Sequence, residues 1–244
     1  MALVQSELKK IYIRVDEQIP DYLCFTANTA NSGVMIDKTW SPTAVTLETS
    51  TDGTNWTPYT FNYYITLSNI WDKLYFRNTS ETATGFSIHA NNYYRIKFLW
   101  DISASWDVTS LLCKTLTDRI IADKCFCFLF YSNSSLRTPP KLPATTLTTD
   151  CYYAMFQDNT NLEVLPELPA TILADRCYQQ MFKWCSKIKL SETQTWEYQT
   201  PYRIPTTWTG TAWSNSLRYM FTSTWWITSD PTINTTYYTS NTLV

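Results

Sequence analysis

The chain has 244 residues, 44% of them apolar, and a formal charge of −2 from 21 acidic and 19 basic residues. That much apolar surface supports a buried core and excludes a disordered chain, and the near-neutral balance gives no general affinity for nucleic acid. No run approaches the roughly 18 consecutive apolar residues of a membrane-spanning helix, and the opening MALVQSELKK has neither the order nor the cleavage site of a signal peptide.

The first hundred residues alternate short β-type runs with turn signals. Residues 11–15, 22–26, 44–49, 55–61, 73–77 and 93–98 are rich in β-branched and aromatic side chains. They predict an all-β sandwich, and Asp52-Gly53 supplies the positive φ of a hairpin turn ahead of Trp56. The expected division is an N-terminal segment over residues 1–12, a β-sandwich over 13–104 and a repeat region with a C-terminal cap over 105–244.

The second half repeats itself every 26 residues. Cys125 to Phe130 aligns with Cys151 to Phe156 and with Cys177 to Phe182, and Lys141-Leu142-Pro143-Ala144 aligns with Glu167-Leu168-Pro169-Ala170. Leu136, Leu162 and Ile188 fall in register, and a worn fourth copy keeps Met220-Phe221. Leu147, Cys151 and Met155 recur at every fourth residue, which predicts one apolar face of a short helix, with Thr145 and Thr171 as N-caps and Asp150 and Asp175 near helix amino ends. Polar turns and a short extended piece around Leu162 follow. The expected fold class is therefore α+β: a β-sandwich followed by a short solenoid of helix-turn-strand repeats, whose period is that of leucine-rich repeats.

Composition carries further signals. Glycine occurs four times, where average usage gives about 17, and tryptophan occurs eleven times. Seven cysteines and no export signal do not make a disulfide framework. Cys125 and Cys127 have no second pair at zinc spacing, and the lone His89 cannot complete a Ser-His-acid set. No Gly-rich phosphate loop occurs. No cofactor, metal or catalytic residue is expected. The column of Cys125, Cys151 and Cys177 reads as buried small apolar residues, held apart by helix-to-helix spacing. Tyr152 and Tyr178 read as packing residues.

The blocks Cys151-Tyr152-Tyr153-Ala154-Met155-Phe156 and Leu168-Pro169-Ala170-Thr171-Ile172-Leu173 resemble the repeats of BspA-like leucine-rich-repeat proteins, of the kind frequent in virion proteins of phages of gut bacteria. Thr51-Asp52-Gly53-Thr54-Asn55-Trp56 and Asp72-Lys73-Leu74-Tyr75-Phe76-Arg77 are similar to a hairpin and a strand of such chains. The resemblance implies a non-enzymatic virion component of fibre, decoration or receptor-binding type, made in a host cytoplasm without export. The alternative is a bacterial cell-surface adhesin. Implied partners are other virion proteins, a host surface glycan or protein, and a second copy of the chain. At Trp71, Trp100, Trp106, Trp184, Trp213 and Trp225-Trp226 members of the family usually carry glycine, so these are expected to be turn positions where positive φ is commonly needed; either many of their codons are UGA or the tryptophans are genuine surface aromatics.

Turns that differ between copies on a constant scaffold suit recognition. The candidate residues are Tyr131, Asn133, Gln157, Asn159, Lys183 and Trp184, all expected to face solvent.

Overall fold

The computed structural model describes residues 22–39, 44–80, 86–87, 92–114, 121–205, 207–208, 213–224 and 230–244. The predicted strand at 11–15, His89 and Trp225-Trp226 lie outside them. Among the described residues the first half holds eight strands: β1 (Leu23–Ala27), β2 (Ser32–Lys38), β3 (Leu47–Ser50), β4 (Thr57–Pro58), β5 (Ile65–Leu67), β6 (Lys73–Asn78), β7 (Tyr94–Leu99) and β8 (Ile102–Ser105). With β9 (Leu136–Thr138) they make two sheets, ordered β4-β3-β6-β1-β8-β9 and β5-β2-β7.

Alternation along the strands decides what each face meets. Leu23, Phe25 and Ala27 of β1, Val34 and Ile36 of β2, and Ile96 and Phe98 of β7 enter one core with Leu74 and Phe76 of β6. On the other face of β1, Cys24 packs with Tyr22 and Tyr75 beside Trp56. The predicted hairpin turn is present. Gly53 has φ 76°, its N–H donates to Ser50 Oγ at 2.8 Å, and Asp52 Oδ1 accepts from the N–H groups of Thr54 and Asn55 at 2.8 and 2.7 Å. These bonds hold the Asp52 carboxyl well below the usual carboxylate range. The strand expected over 55–61 shrinks to β4, while β2, β5 and β8 were not foreseen.

The 26-residue copies are not helices. Among the described residues the helical content is a 3-10 turn at Val108–Leu111 and one helical turn at Trp213–Ser216, and neither lies in the first three copies. Each copy is a chain of tight turns in which every fourth residue takes positive φ: Lys124, Phe128 and Ser132 in the first, Asp150, Ala154 and Asp158 in the second, Arg176, Gln180 and Trp184 in the third. A left-handed residue every four positions stops an α-helix from propagating.

The hydrogen bonds show what replaces it. The N–H groups of Cys125, Cys127, Leu129 and Tyr131 donate three residues back, to Ala122, Lys124, Phe126 and Phe128. Those of Lys124, Phe126, Phe128, Phe130 and Ser132 donate across to the carbonyls of Thr149, Cys151, Tyr153, Met155 and Gln157 in the next copy, at 2.8–3.0 Å. Asp150 to Asp158 repeats this onto 175–183, and Tyr178 to Trp184 onto the worn fourth copy. A helix consumes its interior N–H groups internally; here alternate ones are spent between copies. The α+β solenoid of helix, turn and strand is thus replaced by a nearly all-β chain with stacked turns. The expected N-cap Thr171 instead precedes β11 (Ile172–Leu173), and Asp150 sits inside a turn, paired with Arg176 at 2.8 Å.

Stacking in register builds columns of like side chains. Phe130, Phe156, Phe182 and Phe221 form one, with ring centroids 5.4–5.7 Å apart and planes within 10°. Phe126, Tyr152 and Tyr178 form another at 5.9 Å. Such ring pairs contribute about 0.5–1.5 kcal/mol each beyond the area they bury. Cys125, Cys151 and Cys177 make a third column, all free and fully buried. Helix spacing is not what keeps these thiols apart. Copies bonded as a ladder lie about 4.8 Å apart, and parallel Cα–Cβ bonds in register leave the Cβ atoms wider than the roughly 3.5–4.5 Å a disulfide needs.

The sandwich and the stack share one core. Strand β7 acts as the layer before the first copy: Ile96 N–H donates to Leu129 O at 2.7 Å, and Phe98 lies 6.3 Å from Phe130. At the far end β10 (Val164–Leu165) pairs with β16 (Thr242–Leu243), β11 pairs with β14 (Thr207–Trp208), and β15 (Thr236–Thr239) lies between β12 (Leu190–Ser191) and β13 (Thr200–Arg203).

Candidate functional site

Two surfaces merit attention. One is a cleft of about 900 Å³ where the chain's end meets the third copy, lined by Glu163, Lys187, Lys189, Glu197, Tyr198 and Asn241 among others. One of its two acidic groups is already engaged: Glu163 accepts from Lys187 Nζ and from Arg137 Nη1, the latter at 3.1 Å, and Lys187 foremost lowers its pKa. A carboxylate held ionised in this way is not poised to donate a proton at neutral pH. Asn241 ties the walls together, its amide donating to the carbonyls of Glu163 and Lys187 at 2.8 and 3.1 Å.

Nucleophiles are no better placed. Burial pushes the thiols of Cys127 and Cys151 up to about 12 and raises those of Cys125 and Cys177 well above their ordinary value, so each remains a protonated thiol near neutral pH. Asp150 is also raised by burial, against the opposing Arg176 charge, and lies in a cross-copy ion pair.

The second surface is the outer face of the turn stack, built by left-handed residues such as Phe128, Trp184 and Tyr219 and by positions flanking them. Tyr93 lies 5.0 Å from Phe128, which meets Tyr131 edge-on at 5.5 Å and Tyr153 at 5.2 Å. The Arg95 guanidinium sits 5.3 Å over the Tyr131 ring, anchored by a 3.1 Å bond to Ser132 O. Two layers along, Lys183 Nζ lies 4.1 Å over Trp184 and 5.6 Å from the Tyr219 ring, and Arg218 caps Tyr219 at 4.7 Å. These rings are partly exposed while the Phe and Cys columns behind them are sealed. Burial raises the phenols of Tyr93 and Tyr153, so both remain neutral and able to donate. Flat aromatic faces with fixed cations at their edges can stack on and hydrogen-bond a ligand.

Of the six sequence candidates, Tyr131, Lys183 and Trp184 belong to this face. Asn133, Gln157 and Asn159 do not, for all three are buried. Asn159 Nδ2 donates to Phe130 O at 2.7 Å and Phe156 O at 2.8 Å, and Asn133 Nδ2 donates to Ile96 O at 3.0 Å. Spaced by 26, Asn133, Asn159 and Cys185 form a donor column, Cys185 Sγ donating to Phe156 O at 3.0 Å. Each member reaches a carbonyl of the layer before it. Sequence reading missed Tyr93, Arg95, Phe128, Tyr153, Arg218 and Tyr219. The signal was the column Cys127, Tyr153, Gln179 and Arg218, where copies differ in character beside positions that stay apolar. Comparison of the chain with family models, with curated proteins and with solved structures gives no match.

Proposed function

We propose that this chain is a non-enzymatic structural protein of a virion, of fibre, decoration or receptor-binding type, that holds a host surface glycan or protein on the outer face of its turn stack. The observation that carries the binding part is the cluster of Tyr93, Phe128, Tyr131 and Tyr153 with Arg95 at its edge, on a scaffold whose every layer is hydrogen-bonded to the next. A rigid scaffold presenting aromatic rings loses little conformational entropy on binding. The virion assignment rests on the resemblance of the repeat blocks to BspA-like chains.

The test is binding of purified protein to host cells and to an array of bacterial surface glycans, wild type against the triple variant Tyr131→Ala, Lys183→Ala, Tyr219→Ala. Partly exposed turn positions of this kind cost about 0.5 kcal/mol each, so the variant should keep its circular dichroism spectrum and lose binding. A folded variant that binds like wild type refutes the reading. Peptide mass spectrometry of purified particles tests the virion assignment separately.

A further inference from the structure

Three exposed tryptophans share a backbone anomaly. Trp71, Trp100 and Trp106 are 73, 66 and 40% exposed and have φ of 74°, 61° and 64°, the left-handed region that a Cβ disfavours. Their torsions are imposed by the fold. Trp71 joins β5 to β6 and its N–H donates to Ala27 O at 2.8 Å; Trp100 lies between β7 and β8, beside the 3.0 Å bond from Asn28 N–H to Asp101 O; the Trp106 carbonyl accepts from Lys141 N–H at 2.8 Å. Each is a tight junction whose backbone path is fixed by distant partners. The indoles repay little of that cost, since all three are exposed and Lys141 Nζ stands off at 5.7 Å from the Trp106 ring.

Outside the turn stack the other left-handed positions of the sandwich half, Asn31, Asn62 and Gly53, carry residues that suit them, whereas inside the stack residues such as Phe128 and Arg176 are held there by the bonds between copies. Trp56 makes the contrast: it is absent from the positive-φ set, meets Tyr22 edge-on at 5.0 Å and lies under Arg77 at 4.0 Å. Trp184 shares the torsion but packs on Lys183, at a position where other copies carry Ser132 and Asp158. Together with four glycines and eleven tryptophans in 244 residues, these junctions point one way.

We infer that Trp71, Trp100 and Trp106 are glycines in the polypeptide as its native host makes it, each encoded by UGA, a codon that different genetic codes read as tryptophan or as glycine. The exposed indoles of Trp71 and Trp100, next to Ile70 and Leu99, are then no docking patch: the backbone at these junctions calls for a residue without a side chain.

The test has two arms. Gene sequencing should find UGA at the three positions and UGG at Trp56, and peptide mass spectrometry of protein taken from the native host should find glycine at all three. Tryptophan in those peptides overturns the inference. In recombinant protein, Trp71→Gly, Trp100→Gly and Trp106→Gly should each raise the melting temperature by about 2 °C, the size expected from relieving one left-handed strain less the entropy of glycine. The matching Trp→Ala variants keep the Cβ and should not gain, and Trp56→Gly should melt lower. Glycine variants that all melt below the parent also overturn it.

Discussion

Asn159 shows how a side chain's role depends on where its layer sits. Its amide spans two copies through the Phe130 and Phe156 carbonyls, so removing it strands buried acceptors, and stranded groups cost about 1–3 kcal/mol each. Asn159→Ala should therefore lower stability by about 2 kcal/mol in urea unfolding, with host-cell binding of the folded fraction unchanged. Tyr131→Ala should do the reverse. The same logic separates Asn133 from Lys183: both occupy polar turns in the sequence, yet one caps the carbonyl of Ile96 inside the protein and the other faces outward.

At the scale of the element, the turn copy is the unit of stability. Met155 is fully buried, its carbonyl accepting from Phe130 N–H at 2.9 Å and its N–H donating to Tyr152 O. Met155→Asp places an unpaired charge among the Phe and Cys columns, at a cost of several kcal/mol set against a total of roughly 5–15. The expected outcome is loss of cooperative melting, checked by near-ultraviolet circular dichroism; Met155→Leu, which keeps apolar volume, should cost less than about 1.5 kcal/mol. The period-four pattern that predicted a helix belongs equally to consecutive four-residue turns. Its apolar residues coincide with a helical face, and the left-handed torsions and the destination of the N–H groups distinguish the two.

At the scale of the molecule, one core runs from β1 to the closing strands and carries many buried weak acids. The thiols of Cys127 and Cys151 and the phenol of Tyr59 are raised to about 12 by burial, from ordinary values of 9.0 and 10.0. Folded values above unfolded ones mean that the unfolded chain deprotonates first, so this contribution is complete below about pH 9 and is lost as pH climbs towards 12. Stability should fall steeply over that window, measured as the urea midpoint against pH, and Cys151→Ala should flatten the fall. Native-state thiol labelling at pH 8 should stay slow, in line with seven buried cysteines.

Much of this was legible in the residues. Alternation at Leu23, Phe25 and Ala27 and in residues 73–77 announces strands, because one face of a half-buried strand must be apolar whatever lies beyond it. Asp52-Gly53 announces its turn because the required torsion is local. The 26-residue period announces layers, and the buried columns of Cys, Met and Phe follow from equivalence alone. What the tertiary structure decided is everything that depends on a partner in another layer. Whether residues 122–131 bond to themselves as a helix or to residues 148–157 as a ladder is not encoded in their spacing. Nor does composition reveal that Asn133 and Asn159 face inward, since an amide suits water and a buried carbonyl equally well. Local torsions and apolar periodicity are properties of a segment. The choice between hydrogen bonds within a copy and between copies belongs to the stack, because the second kind exists only once the neighbouring layer is in place.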